Sequence, residues 1–323
     1  MTEAASLPRG VALAGGVGGA KLAHGLQTHL GDRLTVVVNT GDDLERHGLL
    51  VMPDHDTVMY TLAGLANREW GWGIEGETFA AAEMLARLGE PTWFRLGDRD
   101  LAVHVVRTAR VRSGLGVTDA CLGIQRSLGV LATILPMSDD PVRTEVRIDE
   151  GWLDFQDYFV ARHQEPEVRE VRFGGVELAA PAPGVEAAIA AAETVVIAPS
   201  NPIVSIGPIL AVEGIRAALS AARSAGTPIV AVSGIVGGKA LKGPADRMLA
   251  SLGHESSALG VARLLAGVAT DFVIDRVDAD SRAPIEALGL RAHVTDTIMA
   301  DDAARARLAG ECLAVAVRAS ARS

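Results

Sequence analysis

The sequence predicts an α/β fold: a doubly wound, mostly parallel, Rossmann-like sheet with an inserted irregular α+β capping region. Three observations carry that expectation. Short apolar runs alternate with helix-periodic stretches at both ends of the chain, as in parallel βαβ units. The first run leads through a glycine-rich turn into a helix start. The middle of the chain breaks the alternation, which places the sheet in residues 8–60 and 180–318 and the insertion in residues 61–179.

The elements follow in order. Residues 11–14 are a short apolar run, then comes Gly15-Gly16-Val17-Gly18-Gly19-Ala20-Lys21, and residues 22–30 continue with helical periodicity. Residues 35–38 make the second strand and end in a turn at Asn39-Thr40-Gly41. Residues 61–117 are helical and loop-rich, whereas 130–173 hold strand-like pieces, clearest at 142–148 and 168–173. The sheet resumes with strands at 194–198, 228–232 and 271–274 and a shorter one near 292–294. Helices are expected at 185–192, 208–225, 245–252, 257–267 and 303–318. Right-handed crossovers between such units build a doubly wound sheet.

Composition narrows the function. The 323 residues are 49% hydrophobic and 22% charged, a globular balance that supports a large core. A formal net charge of -10 argues against wrapping nucleic acid, which needs a basic face to displace counterions. No apolar run approaches the length of a membrane span, and residues 1–10 lack the pattern of a secretory signal. Cys121 and Cys312 are too few and too distant for a disulfide framework, so a reducing cytoplasm is expected.

Two motifs carry chemistry. Residues 38–60 contain Asp42, Asp43, Asp54 and Asp56 at the exit of a strand, where an open α/β sheet binds ligands. Hard oxygen donors in such a cluster suit a divalent cation, although a solvated turn with Asx hydrogen bonds accounts for any one of them. Upstream, the glycine turn lets backbone approach an anion, and a helix N-terminus offers it free N–H groups. It matches neither the Walker spacing nor the strict dinucleotide spacing. Trp70, Trp72, Phe79, Trp93 and Phe94 form either a packing patch or a wall for a flat heterocycle.

The glycine motif, Asn39-Thr40-Gly41-Asp42-Asp43, Pro53-Asp54-His55-Asp56-Thr57, Leu96-Gly97-Asp98-Arg99-Asp100 and Ala198-Pro199-Ser200-Asn201-Pro202-Ile203-Val204-Ser205-Ile206-Gly207-Pro208 occur in this order. Together they resemble the 2-phospho-L-lactate transferase family of coenzyme F-420 biosynthesis, which includes phosphoenolpyruvate transferases, over about residues 8–275. The resemblance implies a magnesium-dependent transfer of a phospho-acid, 2-phospholactyl or phosphoenolpyruvyl, from a guanosine diphosphate-linked donor to the ribityl hydroxyl of the deazaflavin Fo, with release of GMP. It implies Asp42, Asp43 and Asp54 as metal ligands and Asp56, with Asp42, at the reacting atoms. Gly15, Gly16, Gly18, Gly19, Lys21, Asn39, Thr40, Ser200, Asn201, Ser205 and Gly207 fall to the nucleotide and phosphates, and Arg95 and Arg99 to the deazaflavin or a phosphate. Lys239, in a Gly-Gly-Lys turn, is either a phosphate ligand or a surface lysine. His24, His47, His55 and His104 receive no role. A sister family of UDP-sugar-binding regulators is the alternative, and a nicotinamide oxidoreductase a weaker one. Which acid is transferred stays open, and a homodimer is expected.

Overall fold

The structure, a computed structural model, describes residues 9–320. Residues 1–8 and 321–323, among them Pro8 at the start of the expected core and most of the stretch read as lacking a signal, lie outside the described residues.

Seven strands form the central sheet. Across it they run Arg291–Thr295, Asp271–Asp275, Ile229–Val232, Thr194–Ile197, Gly10–Ala14, Leu34–Val38 and Thr133–Pro136. Every neighbouring pair is parallel. Strands buried on both faces need apolar residues at every position, and the runs Val11-Ala-Leu-Ala14, Val36-Val-Val38 and Ile229-Val-Ala-Val232 provide them. Side chains alternate between faces: Leu13, Val37 and Ile197 pack in one apolar cluster, while Ala12, Val36, Val38 and Val196 pack in another. The first cluster takes in residues of the helices Val185–Ala190, Glu213–Ser224 and Ala258–Leu265, and the second takes in residues of Gly16–Leu30, Pro53–Leu62 and Asp302–Ser320.

The chain builds outward from Gly10–Ala14 in one direction, then returns to place Thr194–Ile197 on that strand's other side and builds the opposite way. The loops after these two adjacent strands therefore diverge, which opens a crevice at their carboxyl ends.

The structure departs from the expected elements at three places. Thr133–Pro136, inside the stretch read as an insertion, is an edge strand of the main sheet. The helix expected over 208–225 is two helices, Ile206–Ala211 and Glu213–Ser224, because Val212 between them is extended (ψ 113°). Asp54 and Asp56, expected only at a strand exit, sit in the first turn of a further helix, Pro53–Leu62, with Pro53 at the position that tolerates its missing N–H.

The rest of the middle region holds the helices Ala80–Arg87, Asp98–Arg112 and Val117–Ser127 and a three-stranded antiparallel sheet of Gly151–Asp154, Arg143–Ile148 and Glu170–Gly174. That sheet closes on a small core of Val146, Ile148, Phe155, Tyr158 and Val168 that also takes in Val204 and Met248 from outside the middle region. No helix among the described residues is long and apolar enough to cross a membrane.

Candidate active site

A cavity of about 710 Å³ opens at the carboxyl ends of the central strands, on the crevice between Gly10–Ala14 and Thr194–Ile197. It is large enough for a nucleotide-sized ligand. Its walls come from the glycine turn, the start of the helix Pro53–Leu62, the Pro199–Ser205 turn, the aromatic segment of the middle region and the loop after Ile229–Val232.

The glycines act first through packing. A Cβ on Gly18 would lie 2.3 Å from the Pro199 carbonyl oxygen, so only glycine lets the two crevice loops meet. Gly16 adopts φ +61°, and its N–H donates to Asp54 Oδ1 at 2.7 Å. Ser200 Oγ accepts from the Gly15 N–H at 3.1 Å and donates to the Gly15 carbonyl at 2.8 Å, stitching the loops together. Asn201 Oδ1 accepts from the Ile203 N–H at 2.9 Å, an Asx turn that fixes its own loop. Ser200 and Asn201 line the cavity, but these atoms are committed to the protein. Ser205 also lines it, whereas Gly207 lies behind the wall, its α-carbon facing Phe173. Gly19 is likewise a packing position, against Ser200 Oγ and Ala14.

The acidic residues divide. Asp42 and Asp54 are buried and line the cavity. Asn39 organises them: its amide donates to Asp54 Oδ2 at 3.0 Å and to the Val204 carbonyl, and its Oδ1 accepts from the Gly41 N–H. Burial pushes the Asp42 carboxyl well above the usual carboxylate range, and the charge of Asp54 adds to the push. Burial also raises Asp54, against the hydrogen bonds from Asn39 and Gly16. Asp42 Oδ1 and the hydroxyls of Thr40 and Thr144 are buried without a partner. Two carboxylates with no cation and an orphaned oxygen suit a hard divalent ion such as magnesium, which Asp42 and Asp54 would hold. Asp43 stands apart from that pair. It is not in the cavity wall; burial pushes its carboxyl well above the usual range against the charges of Arg107 and His55, its Oδ1 is also without a partner, and its charge adds to the push on Asp42.

Asp56 is partnered. Arg107, from the helix Asp98–Arg112 and 0% exposed, grips both carboxylate oxygens, Nη1 reaching Oδ2 at 3.0 Å and Nη2 reaching Oδ1. Burial opposes charge on Asp56, but the Arg107 guanidinium, with His55 and His104 beside it, outweighs burial and holds the carboxyl far below the usual range. His104 lies 3.5 Å from Asp56 Oδ2 and 3.2 Å from Asp100 Oδ1, which accepts from the Tyr60 hydroxyl at 2.6 Å. Oxygen and nitrogen atoms of Asp56, Asp100 and His104 lie within 4.8 Å of one another, a ligand-like spacing. The guanidinium already fills the place of a cation there, so this cluster is a network of ion pairs and hydrogen bonds.

Around the opening, Trp70 and Trp72 (40% and 42% exposed) lie with ring centroids 5.4 Å apart, and Trp93 and Phe94 continue the wall. Phe155 and Phe159, stacked at 5.5 Å, add a second aromatic flank from the small antiparallel module. Arg95 lines the cavity with its guanidinium 3.6 Å above the Phe79 ring. Arg99 faces away, its side chain donating to the Glu75 carbonyl at 2.6 Å. Lys239 is a surface residue, its side chain 80% exposed and 3.8 Å from Asp246. The cavity lysines are Lys21, half-buried and bonded to the Met299 carbonyl, and Lys242, bonded to the Trp70 carbonyl. Burial lowers the Lys21 pKa, and the charges of Arg305 and Lys242 lower it further.

The sequence profile of the family described as 2-phospho-L-lactate transferase CofD matches residues 11–309. The chain belongs to the CofD family. It is therefore a transferase. This family member is 44% identical to the phosphoenolpyruvate transferase of Streptomyces griseus subsp. griseus, over 95% of this chain and 98% of the relative. It is 40% identical to the 2-phospho-L-lactate transferase of Methanosarcina mazei, over 90% of this chain and 94% of the relative. Among solved structures, a UPF0052-family protein from Bacillus halodurans shares the fold at TM-score 0.64 and 14% identity, covering 94% of this chain and 98% of that one.

For this CofD-family chain, sequence reasoning missed Arg107, Asp100, Tyr60, Lys242 and the Phe155–Phe159 flank. A signal existed for the first two. Asp100, His104 and Arg107 stand at i, i+4 and i+7 of one helix, a single face whose charged residues are too many for an apolar core stripe. Lys242 carries no such signal, being a lysine in a glycine-flanked loop.

Proposed function

We propose that this chain transfers a phospho-acid from a guanosine diphosphate-linked three-carbon acid to the ribityl hydroxyl of the deazaflavin Fo, releasing GMP, with magnesium as cofactor. The observation that carries the reading is one cavity that joins uncompensated carboxylates beside the glycine turn to a recess flanked by aromatics on two sides. A diphosphate needs charge neutralisation and in-line positioning more than covalent help. A flat tricyclic acceptor needs aromatic faces.

The ribityl oxygen forms a bond to the phosphorus that carries the acid, the bond from that phosphorus to the GMP oxygen breaks with its electron pair leaving on GMP, and the hydroxyl proton is released to solvent. Asp42 and Asp54 would hold magnesium, which when bound would supply electrostatic stabilisation of the phosphate oxygens. Asp56, kept ionised by Arg107, accepts a hydrogen bond from the hydroxyl and orients its lone pair toward phosphorus. The free N–H groups of the glycine-turn helix and Lys21 and Lys242 offset donor charge on the opposite side. Trp70, Trp72, Phe155 and Phe159 hold the deazaflavin ring. We place the reaction in the cytoplasm, in keeping with two free buried cysteines.

Enolpyruvyl is the acid to test first, because the relatives of that name match up to 98% of their own length at up to 44% identity. Mass spectrometry of the product from Fo and each guanylylated acid (lactyl, enolpyruvyl, glyceryl) identifies the donor. Absence of a phospho-acid adduct with every donor, together with a thermal shift from a UDP-sugar and none from GDP, would replace this reading with the regulator one.

A further inference from the structure

We propose that Arg107 is a positioning residue for the transfer: its fork fixes the Asp56 carboxylate as an oriented acceptor for the attacking hydroxyl and cancels its charge, which reserves the cation for Asp42 and Asp54. This inference rests on the proposed function. Arg107 heads the large side chains with no exposure, and a fully buried guanidinium is costly to desolvate. Its other contacts are weak: the Leu50 carbonyl and His104 Nδ1 both lie at 3.4 Å, and Nε has no partner. The two bonds to Asp56 are thus its main return. A carboxylate held at both oxygens by one planar fork cannot rotate, and each oxygen keeps a lone-pair direction free. Asp56 lines the cavity while Arg107 does not, so the guanidinium works from behind. A core ion pair placed for stability alone would not need one partner on a ligand cavity.

The neighbouring groups extend the support. His104, one turn before Arg107, touches Asp56 and Asp100, and Tyr60 closes the chain by donating to Asp100. Asp42 and Asp54 lack any such partner among the described residues; Asp54 accepts only neutral donors, Gly16 N–H and Asn39. The aspartates of this acidic segment are therefore not alike: Asp56 has a guanidinium on both oxygens, and Asp42 and Asp54 have none.

The test is a double-mutant cycle on the full chain, with Arg107→Lys, Arg107→Gln, Asp56→Asn and the Asp56→Asn/Arg107→Gln and Asp56→Asn/Arg107→Lys combinations. Circular dichroism and thermal melts check folding, calorimetry reads GDP affinity, and steady-state kinetics vary Fo, donor and magnesium separately. Wild-type transfer is measured first, since its absence sinks the function reading and this inference with it. With transfer established, Arg107→Lys, which keeps the charge and loses the fork, should fold and bind GDP as wild type does. It should lose about 100-fold in kcat/KM for Fo, the scale of a misplacement of about 1 Å, with an unchanged magnesium requirement. In the Asp56→Asn background the same change should have almost no effect. Equal losses in both backgrounds, parallel loss of GDP affinity, or full activity of Arg107→Lys would each overturn the assignment while leaving the function reading intact. Arg107→Gln repeats the comparison with the charge removed.

Discussion

Replacing Asp42 by asparagine should stabilise the metal-free protein and abolish its turnover. Asp42 is 6% exposed, its Oδ1 has no partner, and Asp54, 8% exposed, adds a like charge beside it. An unsatisfied buried polar group costs about 1–3 kcal/mol, more when charged. The asparagine amide keeps the size, removes one negative charge and offers a donor to the remaining carboxylate. A gain of about 1–3 kcal/mol corresponds to a melting temperature roughly 1.5–4.5 °C higher for a chain of this size. The pH dependence has a definite sign. The native Asp42 pKa lies above the ordinary 3.8, so on raising the pH the unfolded chain loses this proton first and the native state loses stability. The advantage of Asp42→Asn should therefore be absent below about pH 4, grow from there up to the native pKa, and stay level above it. Magnesium should reverse the order, because an ion bound by the native state at about 100 times its Kd adds about 2.7 kcal/mol to wild type. Differential scanning fluorimetry over pH, with and without magnesium, and the transfer assay measure all of this. A metal-free Asp42→Asn protein that melts below wild type at pH 7.5 and responds equally to magnesium would refute the reasoning.

Four further outcomes follow from the geometry. Gly18→Ala should cost about 1–3 kcal/mol, because its Cβ would meet the Pro199 carbonyl at 2.3 Å, and chemical denaturation reads that loss. Lys242→Ala should weaken donor binding about 10-fold, whereas Lys239→Ala should leave it within about 2-fold; calorimetry with GDP separates them. Asn201→Ala should lower stability by about 1 kcal/mol through its lost turn, seen in urea melts, with GDP affinity falling only as far as the loop loosens. Asp56→Ala should destabilise by about 3–5 kcal/mol, because Arg107 is left buried and unpaired, and fluorescence titration should show weaker Fo binding than in Asp56→Asn.

Local chemistry carried much of this protein into view before any coordinates. The runs at 11–14, 35–38, 194–198 and 228–232 are apolar at nearly every position, and only a strand covered on both faces tolerates that. The glycine turn and the Asn39-Thr40-Gly41-Asp42-Asp43 motif follow directly on such strands, so their place at one end of a sheet was legible. The edge strand Thr133–Pro136 was not, since four residues ending in proline look like a loop and gain their identity from Leu34–Val38 alongside. Partnership was equally hidden. Asp42, Asp43, Asp54 and Asp56 are one residue type in one segment, and nothing within the segment says which of them meets a cation. Arg107 distinguishes Asp56 from 51 positions away, through a contact that exists only once two helices pack. Ser200 and Asn201 read as ligand contacts because of their polarity; in the fold they line the cavity while their side-chain oxygens also bind Gly15 and Ile203. Hydrophobic period and turn chemistry act over a few residues, so they are written locally. Ion pairing and burial depend on what arrives in space, and those decided which of the polar residues face the cavity with capacity to spare.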